Sequence, residues 1–366
     1  MAAIRHVGII GGGLAGLAAA LSATRAGLRV ELFEAQAEPA YPPAHLDVVP
    51  NLLRDLATLG LAGACVRRGF PYQGFQVLDG DGVTQFAVPT PRLAGAPWPG
   101  ALGLVYGELL AALREAVLAA GGVLHLGHAV RDANDDGAIV TERGSRHAVD
   151  LAVIASGDRL PTVAGRPLAA LDEEVLQQQW CHALVPRPQG LECATWVIGR
   201  GGLRAMLVPV DTRRIGVALL QPADAAATPA ALRAVLAGDG RLLQGLARHF
   251  GDEVPVLRRP VRSGVLSAPW HQAGVLRIGL SVHRLPPHFG QAAAQTLEDA
   301  CVLGALLRDG LSKEALPAAF MARRYERARQ VHAVAAQAAR WQLHPEPGTD
   351  LRALHERLVP LVAEPA

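Results

Sequence analysis

The segment from Val7 to Glu34 constrains this chain more than any other. Val7, Ile9 and Ile10 form a short β-type run that meets Gly11, Gly13 and Gly16 in GxGxxG spacing. An Ala/Leu-rich helix follows, then Gly27, then a second apolar strand that ends in Glu34. Gly11 permits the tight turn, Gly13 lets the backbone approach a pyrophosphate, and Gly16 lets helix and strand pack closely. Leu14 and Ala15 lie between the second and third glycines at the helix N-terminus, whose N–H groups and partial positive charge suit phosphates. Glu34, at the strand tip, is placed to accept hydrogen bonds from an adenosine ribose. A glycine triplet alone is weak. The complete strand–glycines–helix–strand–acid unit predicts a dinucleotide-binding frame.

The 366 residues exceed a typical single domain and predict two lobes, or one domain with a large insertion. Half the chain is hydrophobic and 19% is charged, so a sizeable core is expected. The net charge of +2 is scattered and offers no broad basic face for nucleic acid. Lys313 is the only lysine, which excludes a P-loop lysine and leaves Schiff-base chemistry one candidate, in a polar turn. Cys65, Cys181, Cys193 and Cys301 show no CxxC or zinc-type spacing and read as buried thiols of a cytoplasmic protein, Cys301 on a helix face. The 13 histidines form no HExxH or paired-ligand pattern, so spacing predicts no metal site. The glycine fingerprint explains the apolar N-terminus better than a signal peptide does. No run of 18 apolar residues exists, so no membrane span is expected.

An irregular Pro-rich stretch (38–43) precedes a helix near Asn51 to Leu59. Phe75 to Leu78 and Val83 to Val88 flank Asp-Gly-Asp-Gly as a hairpin. Glu108 to Ala120 is helical and stops at Gly121-Gly122. Val123 to Leu126 and Ile139 to Thr141 read as strands, and the continuous apolar run Leu151 to Ala155 as a strand buried on both faces. Alternating segments follow at Cys181 to Val185, Thr195 to Ile198, Met206 to Val210 and Ile215 to Leu220. Helices are expected near Pro229 to Ala237, with Thr228 as N-cap, and near Leu242 to His249. Val275 to Gly279 returns to a buried strand; helices from Ala292 to Arg308 and Ala315 to about Gln342 end near His344-Pro345.

A second constellation lies far downstream: Gly279-Leu280-Ser281-Val282-His283, Pro287, Gly290-Gln291 and Glu298-Asp299-Ala300. With the N-terminal unit, this spacing resembles the single-component FAD-dependent aromatic hydroxylases of the para-hydroxybenzoate hydroxylase family, whose pattern there is Gly-Asp-Ala-Ala-His, a proline, Gly-Gln-Gly and Glu-Asp-Ala. Arg323-Arg324-Tyr325-Glu326-Arg327 also looks like that family's C-terminal helix. The resemblance implies an α/β fold: a Rossmann-like FAD-binding domain with an inserted, mainly antiparallel β-sheet substrate domain and C-terminal helices. The expected boundaries are 1–72, 100–161 and 270–366 for the FAD-binding domain, and 73–99 and 162–269 for the substrate domain. It further implies that NADH or NADPH reduces FAD, that a flavin hydroperoxide forms with dioxygen, and that an aromatic or polyketide-like small molecule is hydroxylated. Gly279, Pro287, Gly290 and Gln291 would join Gly11, Gly13, Leu14, Ala15, Gly16 and Glu34 as cofactor contacts. A monomer or homodimer is expected.

The match fails where the family touches its flavin. Leu280 replaces an aspartate that bonds the ribityl chain, Ser156 stands for the aspartate of Gly-Ala-Asp-Gly, and Ala292 and Ala294 replace a glycine and an asparagine. Ala35 and Tyr106 replace arginines. These departures keep a second reading open: a non-redox protein on the same frame, with weak or lost FAD, that binds or isomerises a small molecule. His283 and His45 are the catalytic candidates, the first also readable as a structural loop histidine and the second, with Asp47, as an exposed-loop pair. Tyr72, Trp180, His182, Trp196, Met206 and Pro209 fall on or beside the expected substrate sheet, as core or pocket. Arg204, Arg213 and Arg214 are candidates for a substrate carboxylate or solvated hairpin charges.

Overall fold

The computed structural model describes residues 3–38, 41–134, 137–200, 203–272, 274–344 and 346–366. Pro39 and Ala40 of the Pro-rich stretch, and Pro345 after the last long helix, lie outside the described residues. The chain forms two compact units: Met1–Ala40, Leu110–Glu174 and Arg262–Ala366, and Tyr41–Leu109 with Val175–Val261. The first boundary therefore falls near residue 40, earlier than the expected 72, and the segments 41–72 and 100–109 belong to the second unit. The reason is pairing: the strand His45–Val48 joins Ala101–Val105 and Phe70–Tyr72 in a small sheet of its own.

The first unit is built on β1 (His6–Ile10), α1 (Leu14–Arg25) and β2 (Arg29–Glu34). Its six-stranded sheet runs His271–Gln272, Val275–Arg277, Leu151–Ile154, β1, β2, Val123–Leu126. All pairs are parallel except the edge pair His271–Gln272 with Val275–Arg277. Val7, Ile9, Val30 and Leu32 are buried, as a sheet covered on both faces requires. On the Ile9 face α1 lies beside the helix Gln291–Arg308; a Cβ on Gly304 would come within 2.7 Å of Ser22. On the opposite face, Ile10, Phe33 and Ile154 pack with Ala133, Ile139 and Val163 of a four-stranded sheet. Gly8 permits that approach, because a Cβ there would overlap Ile139. The helices Leu316–Leu343 and Leu351–Ala363 complete the unit through Val331, Val334, Leu354 and Leu358. The last helix has no counterpart among the sequence expectations.

The second unit holds most of a mainly antiparallel sheet in the order Leu257–Val265, Glu174–Pro186, Arg214–Pro222, Arg204–Pro209, Ala194–Ile198, Phe75–Asp79, Thr84–Val88. Ala194–Ile198 pairs in parallel with Phe75–Asp79. One face packs Cys181, Ala183, Val217, Leu219, Ala205 and Leu207 against the helices Pro229–Ala237 and Arg241–Ala247. Thr228 caps the first of these, accepting the Ala231 N–H at 3.2 Å. Of the four free cysteines, Cys65 and Cys181 are buried, but Cys193 and Cys301 are only half-buried. Cys193 sits just before a strand and Cys301 on a helix, where neighbours cover one side of each. Among the described residues no helix is long and apolar enough to cross a membrane.

Candidate functional site

The glycine fingerprint adopts the geometry that its spacing predicts. Gly11 turns at φ +109°, a conformation a side chain would strain. A Cβ on Gly16 would overlap the Gly11 carbonyl oxygen, whereas one on Gly13 would meet nothing within 4 Å. Gly16 is thus required by packing, and Gly13 leaves open space over the helix. The N-terminus of α1 opens on Gly13 without a side-chain cap, so its first N–H groups remain directed outward. Glu34 holds the adjoining turn: its carboxylate accepts the Gly12 N–H at 2.7 Å and the Gln36 N–H at 2.8 Å.

Gly279 brings the downstream motif to this helix. It rests against Ala15 and Thr296, the first at 2.7 Å from a Cβ placed on it. With the Ser22–Gly304 contact about two turns further along each helix, α1 and Gln291–Arg308 run parallel and begin toward the same end of the unit. Phe289 and Gly290 both adopt left-handed conformations (φ 65° and 66°) before Gln291, and the helix they open also has no side-chain cap. A bulky residue held at positive φ costs about 1–2 kcal/mol, so this turn is imposed by its surroundings. Two helix N-termini with partial positive charge therefore lie at the same end of the unit, that of Gln291–Arg308 reaching about one turn beyond that of α1.

Behind them lies a buried ionic network. Asp299 accepts the Gly279 N–H at 2.8 Å, His283 Nε2 at 2.8 Å and Arg324 Nε at 2.7 Å. Arg324 also reaches Glu298 and the Gln295 side chain, and Arg327 donates to Glu298 at 2.8 Å. Against the cost of burial, the charges of His283 and Arg324 hold Asp299 down at about 2. His283 is fully enclosed here and fixes the Gly279 loop rather than facing a ligand.

The altered positions are placed as follows. Leu280 projects outward, 46% exposed. Ser156 donates to the Arg159 carbonyl at 2.5 Å. Asp158, two residues on, is paired with Arg284 and Arg262. Ala292 packs into the apolar cluster of the C-terminal helices. Pro287 precedes the left-handed turn.

The second unit carries its own constellation. Cross-strand register places His182, Ala218, Met206 and Trp196 in one row, with Trp180, Leu220 and Arg204 in the next row on the same face. Period-two alternation separates these residues from the helix-packed face. Trp180 lies edge-on to Trp196 at 5.8 Å and beside His182 at 6.1 Å. His45 opens the strand His45–Val48, not a loop, and its ring lies where a side chain on Gly216 would be, 5.4 Å from His182. Burial drives His45 well below its ordinary 6.5, helped by the nearby His182, and lowers His182 to about 4, helped by Arg259. Both rings are neutral at pH 7. His45 Nδ1, His182 Nδ1 and Trp180 Nε1 are buried without a hydrogen-bond partner among the described residues. Nearby, Tyr72 donates to Asp47, and desolvation raises Asp47 to about 6 despite that bond. Burial also lowers Arg204, whereas Arg214 is tied to Asp211 at 2.7 Å in an exposed hairpin.

Sequence reasoning did not foresee that Gly216 makes room for His45, nor the Asp47–Tyr72 pair. It also did not bring together His6, Glu31, His125 and His147. The available signal was Glu31, a carboxylate flanked by the apolar residues Val30, Leu32 and Phe33 in the interior of a parallel strand.

Fold and site define a dinucleotide-binding α/β protein with an attached antiparallel sheet. Residues 9–42 match the NAD(P)-binding Rossmann-like domain family. Over nearly its whole length the chain is similar to YetM of Bacillus subtilis (strain 168), itself provisionally named a FAD-dependent monooxygenase: 26% identical over 359 residues, covering 95% of this chain and 96% of YetM. It is 28% identical over 309 residues to 2-heptyl-3-hydroxy-4(1H)-quinolone synthase of Pseudomonas aeruginosa (strain UCBPP-PA14), covering 81% and 79%. Klebsiella pneumoniae HpxO, crystallised with FAD and uric acid, shares the fold at TM-score 0.82, with 21% identity and coverage of 99% and 97%. Along most of its length the chain is thus similar to proteins named as FAD-dependent monooxygenases, and it shares their fold.

Proposed function

We propose that this chain is a FAD-dependent monooxygenase that uses NADH or NADPH and dioxygen to hydroxylate an aromatic or polyketide-like small molecule. The observation that carries the reading is the pair of parallel, uncapped helix N-termini opened by Gly13 and Gly290. One suits a pyrophosphate and the other an anionic reduced flavin. The open space over Gly13 and the position of Glu34 fit the adenosine half of FAD. Gly11, Gly13, Leu14, Ala15 and Gly16 would hold the pyrophosphate, and Gly279, Pro287, Gly290 and Gln291 the flavin end. When bound, FAD supplies electron transfer from the nicotinamide and activation of dioxygen. The network around Asp299 keeps the Gly279 turn rigid, and the backbone N–H groups at both helix starts orient the charged ends of the cofactor.

Substrate recognition we assign to Trp180, His182, Trp196, Met206 and Arg204, with His45 beneath. Each buried, unpaired polar atom there costs about 1–3 kcal/mol until a ligand pairs with it. A flat ring stacked on the tryptophans, with polar edges toward the imidazoles and Trp180 Nε1, would recover that cost. Arg204 would attract an anionic substituent. HpxO with uric acid and the quinolone synthase are related cases of planar heteroaromatic compounds.

Leu280 and Ser156 favour one second reading: the same frame, with FAD loosely held or lost, binding a small molecule without redox chemistry. A visible spectrum of the purified protein, followed by FAD titration and NAD(P)H oxidation assays with aromatic compounds, separates the two. Flavin uptake and substrate-stimulated NAD(P)H oxidation support the monooxygenase, and Arg204→Gln should then raise KM more than it lowers kcat. A protein that takes up no FAD at high micromolar concentration, yet binds an aromatic ligand, is the non-redox binder.

A further inference from the structure

We propose that His125, His147, Glu31 and His6 form a binding site for a divalent transition-metal ion of the zinc type. The four residues come from separate strands of the first unit: β1, β2, Val123–Leu126 and Arg146–Ala148. Glu31 Oε2 lies 2.9 Å from His125 Nε2 and 2.9 Å from His147 Nδ1, while His6 Nε2 stands 3.2 Å from Glu31 Oε1. The donor atoms of Glu31, His125 and His147 all fall within 4.8 Å of one another.

Zinc bonds to imidazole nitrogen and carboxylate oxygen are about 2.0–2.1 Å, so ligand atoms of a tetrahedral site stand about 3.3 Å apart. The two spacings from Glu31 Oε2 need to open by only a few tenths of an ångström. His6 Nε2 is buried and makes no hydrogen bond among the described residues, although it faces the carboxylate. A lone pair with no donor is the state a metal ligand requires.

The surroundings support the assignment. Phe33 stacks on the His125 ring at 4.7 Å and meets His147 edge-on at 4.7 Å, fixing both imidazoles. Hydrogen bonds from His125 and His147 keep Glu31 ionised although it is buried. His6 is held neutral by burial and by Arg29. Arg29 donates to Glu31 Oε1 at 2.6 Å, which leaves Oε2 for the ion, and its 69% exposure lets the guanidinium swing away from an incoming cation. Three imidazoles exclude magnesium and calcium, which take oxygen ligands, and suit zinc and its neighbours. Four protein ligands close the coordination sphere, so the role is structural. The ion would clamp the four-stranded sheet onto the edge of the parallel sheet, with Glu31 three residues before Glu34 on the same strand.

The test is titration of the EDTA-treated full chain with zinc by calorimetry near pH 8, with cobalt as a spectroscopic stand-in. One equivalent of zinc should bind, and uptake should weaken as the pH is lowered and the histidines become protonated. Cobalt should give the visible absorption of a tetrahedral site. His125→Ala and His147→Ala should each weaken uptake by on the order of 100-fold or more, and His249→Ala, in the other unit, should leave it unchanged. NMR of the unaltered protein follows the same histidines if a variant fails to fold, since zinc should shift the His6, His125 and His147 ring signals together. Absence of zinc uptake at about 100-fold molar excess, uptake unchanged in both variants, or ring signals that ignore zinc would each overturn the proposal.

Discussion

Arg324→Met tests the network that holds the Gly279 turn. The guanidinium is wholly buried and donates to Asp299, Glu298 and both oxygens of Gln295. Methionine fills similar volume and removes the charge. Asp299 would keep His283 and the Gly279 N–H, and Glu298 would keep Arg327, so neither carboxylate is left bare. Breaking a buried pair by removing one partner costs about 3–5 kcal/mol, and the remaining donors put the expectation at the low end. The pH dependence supplies an independent check. Asp299 sits at about 2 in the folded chain, against an ordinary 3.8. That gap is worth about 2 kcal/mol, at about 1.4 kcal/mol per tenfold change in ionisation. A depressed carboxylate stabilises the fold above its unfolded value and loses that contribution as pH falls from 3.8 through about 2. Urea unfolding at pH 7 should therefore show a deficit of about 3 kcal/mol, and at pH 2–3 the deficit should shrink by Arg324's share of that gap, less than about 2 kcal/mol, because His283 still holds Asp299 down in the variant. A variant within 1 kcal/mol of the parent at pH 7, or a deficit constant across this range, refutes the reasoning.

Three further outcomes follow from single positions. Gly16→Ala places a Cβ on the Gly11 carbonyl and should abolish FAD uptake in a fluorescence titration while the second unit retains its near-UV signal. Leu280→Asp restores a carboxylate at an exposed position, and one hydrogen bond of this kind, worth about 1.5–3 kcal/mol, should tighten FAD by roughly 10- to 100-fold; an unchanged dissociation constant would remove Leu280 from the cofactor site. Gly216→Ala displaces the His45 ring and should lower stability by about 1–3 kcal/mol, the usual cost of overpacking, and weaken aromatic ligands in equilibrium dialysis without affecting FAD.

Much of the frame was legible in the chain itself. β1, α1 and β2 follow from local rules: period-two and helical patterning, and three glycines whose spacing only one turn geometry satisfies. The strands at Val123–Leu126 and Leu151–Ile154 and the long helix Gln291–Arg308 also fall where their apolar runs put them. The unit boundary was less legible, because the partner of His45–Val48 lies more than fifty residues away at Ala101–Val105 and no local signal announces that pairing.

The sequence alone therefore determined the Rossmann-like frame, the location of its glycines and acid, and the departure of Leu280, Ser156 and Ala292 from the pattern that the resemblance implies. Tertiary structure decided the role of each polar side chain. His283 is tied to Asp299 through Nε2, whereas His45 and His182 lie beside each other in the second unit, and neither pairs with a carboxylate. Likewise Glu31 meets three histidines drawn from strands spread over more than 140 residues. The physical reason is that backbone conformation is set by neighbours in the chain, while the charge state and partners of a buried side chain are set by whatever packing brings beside it.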